Sequence, residues 1–474
     1  MDGTSGLQLV VKTSGRTGAC PGRNEMFKKV DKDILKETIR IAGPATVESF
    51  FSAIATFIDS KMVSSLGTAA VASVALTTQP MLLRLTPFTA INIATAALVA
   101  RRKGEQKQAE ANRVLVTSLI ITLIIAVIIT CTYTFAASPI LRLMGSNADT
   151  HEMATTYLRI ICLGTALTAF QNCINAAHRG TGFTKISMQT HLTSSAVNVC
   201  FNYLLINGHL GFPRLEIKGA AIATMIGMSV ACFMSVISLF RKTPYIRLRI
   251  IIDEKIRPKW FVVKQIFHIS WSVFIEQVLV RVGFLLSSKM AAGLGTNSLA
   301  AHRVAGNFAT LSYSFGNGLM EAAVALVGRS LGEGKPENAK KYATTCRVLG
   351  VIVSAFVALL FAFLVRPMYR LFFTDPAVVD IGVALNIPLI LVVCFQIQQG
   401  INAGVLRGAG DTRFTAFMGI VCSTIIRPAV AFLCAFPLGL GIVGIWCGTV
   451  ADQAARFIAT AVRLALGKWT KIKI

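Results

Sequence analysis

Charge is scarce in this sequence. Only 15% of its 474 residues are Asp, Glu, Lys or Arg, whereas a soluble chain carries about a quarter. Acidic residues are the scarcer kind, 22 against 47 basic ones. The eleven cysteines include no Cys-x-x-Cys pair, and the six histidines are scattered without metal-ligand spacing. A disulfide framework and a zinc site are therefore not indicated, and the cysteines read as small buried hydrophobes. No nucleophile, metal or phosphate-loop constellation is present, so the chain does not read as an enzyme and calls for no cofactor. The first forty residues are polar and basic, without the apolar core of a cleavable signal peptide.

What the sequence has instead is apolar length. It is 54% hydrophobic with mean hydropathy +0.63. The apolar residues come in blocks such as Val114–Ser138, Val262–Ser288 and Val348–Val365. Each is near the roughly 20 residues that span a bilayer. Twelve spans are expected, centred near residues 49, 87, 126, 167, 197, 229, 276, 313, 357, 393, 425 and 452. The predicted fold class is an all-α polytopic membrane protein. With both termini in the cytoplasm, 34 of the 47 Lys and Arg residues fall on the cytoplasmic side and 7 on the other, the rest lying in or at the edges of spans. That asymmetry sets the orientation. The net charge of +25 is then topology information and contact with anionic lipid, not a nucleic-acid footprint.

The chain is written twice. "SKMVSSLGT" (60–68) returns as "SKMAAGLGT" (288–296), an offset of 228. The same offset carries "LVARRKGEQK" (98–107) onto "LVGRSLGEGK" (326–335), "PILRL" (139–143) onto "PMYRL" (367–371), and "RGTGFTK" (179–185) onto "RGAGDTR" (407–413). Six spans are thus followed by six more in the same orientation, a parallel repeat about an axis along the membrane normal. The expected divisions are a basic cytoplasmic segment (1–33), a first lobe (34–240), a cytoplasmic linker (241–264), a second lobe (265–466) and a basic tail (467–474). A central cavity between rocking lobes is the mechanical use of this plan.

Five carboxylates lie inside spans: Glu48, Asp59, Glu276, Glu321 and Asp452. Glu48 and Glu276 are repeat mates, but the mate of Asp59 is Ser287, so Asp59 belongs to the first lobe alone. At about 100° and 1.5 Å per residue, Glu48 and Asp59 share one helix face about three turns apart. Asn198 and Asn202 form an i,i+4 pair on span five, and Thr224 reaches a similar level on span six. One carboxylate, two amides and a hydroxyl make a proton or hard-cation site. The alternative is that the Asn and Thr residues only bond helices together. Asp452 has Arg456 four residues on, which suggests a structural pair, and Glu321 suits an Arg from another helix. Arg84, Arg281, Arg303, Arg427 and Arg456 either neutralise these carboxylates or line the cavity. The expected cavity residues are Glu48, Glu276, Gln171, Gln396, Gln399, Arg281 and Arg84.

Three stretches carry a resemblance: "GPATVESFF" (43–51) with "FIDSKMVSSLGTAAVASVAL" (57–76), "LGTNSLAAHRVAGN" (294–307) and "GVLRGAGDTRF" (404–414). Together they resemble the multidrug and toxic compound extrusion (MATE) family, its bacterial DinF-like branch most, over about residues 33–465. The resemblance implies two lobes of six helices, small organic substrates and export driven by inward H⁺ or Na⁺. It implies that Asp59 is the titrating or cation-binding carboxylate. It also implies an Asn-x-x-x-Asp pair in span five, where this chain has Asn198 but Asn202, and a Thr that Thr224 matches. Losing the second carboxylate weakens the Na⁺ case relative to H⁺. A NorM-like branch uses a Glu matching Glu276 with an Asp in span ten, where Gln396 stands, leaving that site incomplete. Pro44 matches a helix-bending proline. The expected protein is a monomeric exporter of amphipathic, cationic compounds in the plasma membrane, touching lipid and no nucleic acid. A lipid-linked oligosaccharide flippase whose arginines grip a diphosphate remains the alternative.

Overall fold

The computed structural model describes residues 32–472 except 145, 242, 243 and 374. Nearly all of the basic segment expected at 1–33 therefore lies outside the described residues. In the first lobe, the helices are α1 (Lys32–Ser64), α2 (Thr68–Gly104), α3 (Gln108–Phe135), α4 (Ala137–Leu143), α5 (Ala148–Leu163), α6 (Thr165–Gly180), α7 (Thr184–Asn207) and α8 (Glu216–Ser238). A short α9 (Leu248–Asp253) lies in the linker. The second lobe holds α10 (Trp260–Gly293), α11 (Thr296–Gly332), α12 (Pro336–Arg370), α13 (Pro376–Ala384), α14 (Asn386–Ala409), α15 (Thr412–Val421), α16 (Arg427–Ala435) and α17 (Gly441–Ala465).

Among the described residues, eight helical segments are long and apolar enough to cross a membrane. The pair α5–α6, bent by 45°, adds a ninth. The remaining three spans, α7, α11 and α17, have 24, 37 and 25 residues but more polar faces. Those faces turn inward: α7 buries Asn198 and Asn202, and α17 buries Asp452, Gln453 and Arg456. The tail is not free either. Trp469 is buried and donates to the Leu464 carbonyl at 3.0 Å.

The repeat is visible in the backbone. Gly67 and Gly295 open α2 and α11 with φ of 98° and 105°, and Gly182 and Gly410 precede α7 and α15 with φ of 82° and 91°. These conformations favour glycine, which explains why the repeated motifs keep it. The lobes interlock. Ile34, Ile41 and Ala42 at the start of α1 join the core of the second lobe, while Val262, Ile266 and Ile269 at the start of α10 join that of the first. On the side where α1 begins and α17 ends, α2 and α11 cross backbone to backbone. A Cβ on Gly104 would lie 2.0 Å from the Arg329 carbonyl oxygen, and one on Gly332 would lie 2.3 Å from that of Arg101.

Two spans break for local reasons. Between α5 and α6, Arg84 is buried and donates to the Ile161 carbonyl at 2.9 Å and to Thr165 Oγ1 at 2.8 Å. It takes up backbone oxygen released at the bend. Span eleven carries a π-helical turn over Cys422–Ile426, ending two residues before Pro428. The proline has no N–H to continue the ladder, and the wider turn absorbs this. α1, by contrast, is continuous through Pro44.

Candidate functional site

Asp59 lies five residues before the end of α1, half-buried, facing α7. Asn202 Nδ2 donates to Asp59 Oδ1 at 2.7 Å. The Asn198 amide stands between Asp59 and Thr224. With its nitrogen turned to Asp59 it donates to the two carboxylate oxygens at 2.8 and 3.0 Å, and its oxygen end is 3.2 Å from the Thr224 hydroxyl. The i,i+4 spacing on α7 stacks the two amides one turn apart, so both reach the same carboxylate. Both amides are buried, and Asn202 Oδ1 is buried without a partner. Asp59 as a carboxylate is thus met by the Asn202 N–H and, with the Asn198 nitrogen turned to it, by a second amide.

The other carboxylates are paired with arginines. Glu276 takes both oxygens to Arg407 at 3.1 Å, with side chains 5% and 10% exposed. Glu48 meets Arg179 at 3.3 Å. Arg179 and Arg407 are repeat mates, as Glu48 and Glu276 are, so each lobe carries the same pair. Arg179 also meets Glu321 of α11 at 3.4 Å, and His191 lies 3.4 Å from Glu48. Asp452, wholly buried, receives Arg427 Nε at 3.0 Å, Arg456 Nε at 2.7 Å and Ser423 Oγ at 3.3 Å. The expected i,i+4 pair is present, with Arg427 as a second cation.

The remaining candidates scatter. Arg84, assigned to the cavity from sequence, is instead buried in the first lobe at the α5–α6 bend, where freed carbonyl oxygen draws it. Gln171 is buried beside His191 at 3.4 Å. Gln396 and Gln399 are half-buried on α14, and Arg281 on α10 is likewise half-buried. Among the described residues, Arg84, Arg281 and Arg303 have no carboxylate within ion-pair distance. Arg303 heads a polar stripe on α11 continued by Asn307, Thr310, Ser314, Asn317 and Glu321. The stripe is exposed at its first three members and half-buried below.

Arg179, Arg407 and His191 were not singled out from sequence, although the repeat held the signal. Both arginines sit in the matched "RGTG" and "RGAG" segments at the offset that relates the two glutamates. Three residues of the longer "RGAGDTR" have a structural reason. Arg407 pairs with Glu276, Gly410 takes its positive φ, and Asp411 holds Arg463 of α17 at 2.8 Å.

Two parallel six-helix lobes with carboxylates in their interior, of which only Glu48 and Glu276 are repeat mates, define a duplicated polytopic membrane transporter. The chain belongs to the MatE family, whose sequence model matches residues 44–204 and 273–433, one block in each lobe. Among curated relatives, a protein of Thermotoga maritima named "Probable multidrug resistance protein NorM" is 24% identical, over 95% of this chain and 96% of its own length. A Rhizobium meliloti protein of the same name is 27% identical over 84% and 86%. Among solved structures, a MOP superfamily transporter from Pyrococcus furiosus, described as having a binding pocket of reverse polarity, superposes with TM-score 0.84 at 22% identity. That match covers 93% of this chain and 97% of the other. An outward-facing multidrug resistance MATE transporter superposes equally well, TM-score 0.84 at 22% identity over 92% and 97%.

Proposed function

We propose that the protein is a secondary active exporter. It carries amphipathic organic compounds, organic cations among them, out of the cell against an inward flow of H⁺. Its lobes rock about the α2–α11 crossing, and both termini lie in the cytoplasm. The observation that carries this reading is the Asp59 shell: a carboxylate the repeat does not require, held by Asn198 and Asn202 with Thr224 behind them. The site holds a single carboxylate, with the amide of Asn202 donating to it where the resemblance implies a second acid, which favours a proton over Na⁺, since a metal cation needs several oxygen ligands and charge to match. The names of the relatives support a drug-like cargo, and the basic loops support the orientation. The polar stripe on α11, half-buried at Glu321 and exposed at Arg303, supports a path between the lobes open opposite the termini. The test is transport by purified protein in liposomes under separate pH and Na⁺ gradients. Asp59→Asn should insert normally and lose gradient-driven efflux; retained coupling to either ion would overturn the assignment.

A second reading, an anionic amphipathic or lipid-like cargo, rests on Arg303, an exposed cation on that stripe without an ion-pair partner among the described residues. Competition by anionic against cationic amphiphiles, with Arg303→Gln as control, separates the two.

A further inference from the structure

The two lobes carry the same Glu–Arg pair but not the same charge. In the second lobe, Glu276 and Arg407 match one to one. In the first, Arg179 faces two carboxylates, Glu48 at 3.3 Å from its own lobe and Glu321 at 3.4 Å from α11 of the other. The repeat mate of Glu321 is Ile93, so the helix fold does not call for an acid there. We propose that Glu48, Glu321, Arg179 and His191 form a second proton-uptake site, distinct from Asp59, that exists only while the lobes are joined on the side of the termini. The proposal rests on the ion-coupled reading above.

The argument is one of charge balance. Two carboxylates and one guanidinium leave one net negative charge among side chains that are 11% (Glu48), 21% (Glu321) and 17% (Arg179) exposed. An uncompensated charge in such a place is costly. The second oxygen of Glu48 is buried without a hydrogen-bond partner, and His191 Nε2 lies 3.4 Å from the first. One proton, on a carboxyl or on His191, removes the imbalance. A metal cation would stand against Arg179, which is within 3.4 Å of both acids. The surrounding polar groups are accounted for on every packed helix. Ser187 of α7 accepts from Arg179 at 2.9 Å, Asn317 of α11 donates to Ser49 of α1 at 3.1 Å, and Gln171 of α6 contacts His191. The Tyr313 hydroxyl of α11 donates to Met320 Sδ at 3.3 Å, and Arg407 of α14 is already neutralised by Glu276. On α1, α2, α11 and α12, Glu37, Lys103, Arg329 and Tyr342 belong to a separate cluster nearer the helix ends.

The site lies about 10 Å inside the start of α7, seven residues before His191. Glu321 moves with the second lobe and the other three residues with the first. A neutral Glu321 no longer holds Arg179 by charge, so proton uptake loosens the lobe junction and separation of the lobes resets the site.

The test uses spin labels on the full chain in nanodiscs, placed in a cysteine-free background at the repeat mates Lys107 and Lys335, whose side chains are 58% and 62% exposed just beyond the α2–α11 crossing. Inter-label distances are recorded between about pH 5 and pH 9, the range a carboxyl–imidazole cluster can cover. In the Asp59→Asn background the distance distribution should still shift with pH. Adding Glu321→Gln should remove that shift, and Glu321→Asp should keep it. A folded Asp59→Asn protein with no pH response overturns the proposal. So does a Glu321→Gln protein that retains the response, or a folded Glu321→Asp protein that lacks it. Because this readout needs no cargo, it stays informative if the transport reading itself fails.

Discussion

The Glu276–Arg407 pair permits a quantitative test of what holds the second lobe together. The two groups are 3.1 Å apart and almost fully buried. At an effective dielectric near 20 their attraction is roughly 5 kcal/mol, most of it offset by the cost of taking both ions out of water. Removing one partner loses the attraction and keeps the other's desolvation cost, which for buried pairs amounts to about 3–5 kcal/mol. The two single variants should not be equal. Glu276→Leu strands a guanidinium that cannot give up its charge, whereas Arg407→Met strands a carboxyl that can take a proton. We expect Glu276→Leu to lower the thermal midpoint of the detergent-solubilised protein by roughly 10 °C, taking about 2–4 °C per kcal/mol for a unit the size of one lobe. Arg407→Met should cost less. The double variant should recover most of the loss, because a packed apolar pair avoids the desolvation that the ion pair has to offset. A Glu276→Leu midpoint within about 2 °C of the parent, or a double variant no better than Glu276→Leu, would refute the reasoning.

Asp452→Asn should be more damaging still, by about 3–5 kcal/mol or more, since it leaves Arg427 and Arg456 facing each other with no counter-charge; the monodisperse fraction in size-exclusion chromatography would show it. Gly104→Val should oppose closure at the α2–α11 crossing, because the new side chain meets the Arg329 backbone, which cannot rotate away. In a cysteine-free background, a cysteine at the buried Ser330 should then be alkylated faster than in the parent; an unchanged rate would show that the crossing does not control access from that side.

Much of the architecture was legible because membrane helices announce themselves by length and the repeat by its offset. The apolar-window criterion alone misses α7, α11 and α17, whose polar residues point into protein and not lipid. The repeat supports those three, since their mates α15–α16, α2 and α8 are apolar enough. The company of Asp59 was readable because Asn198 and Asn202 are one turn apart on one helix and the spans fix their depth. Arg179 and Arg407 were not, since they sit in motifs that look like loop ends, and their side chains reach inward to acids on other helices. Arg84 misled for a different reason. Sequence shows a charge within a span, but not that Gly164 breaks the span beside it and releases a carbonyl for the guanidinium to bond.

The glycine crossing has a consequence in terms of symmetry. Gly104 rests on the carbonyl of Arg329 and Gly332 on that of Arg101, and each member of one contact is the repeat mate of a member of the other. This is the pattern of an isologous interface, in which one surface meets a second copy of itself. The linker therefore joins two halves whose meeting surface is already self-complementary. Cut within 241–264 and expressed as separate chains, they should find each other across that surface.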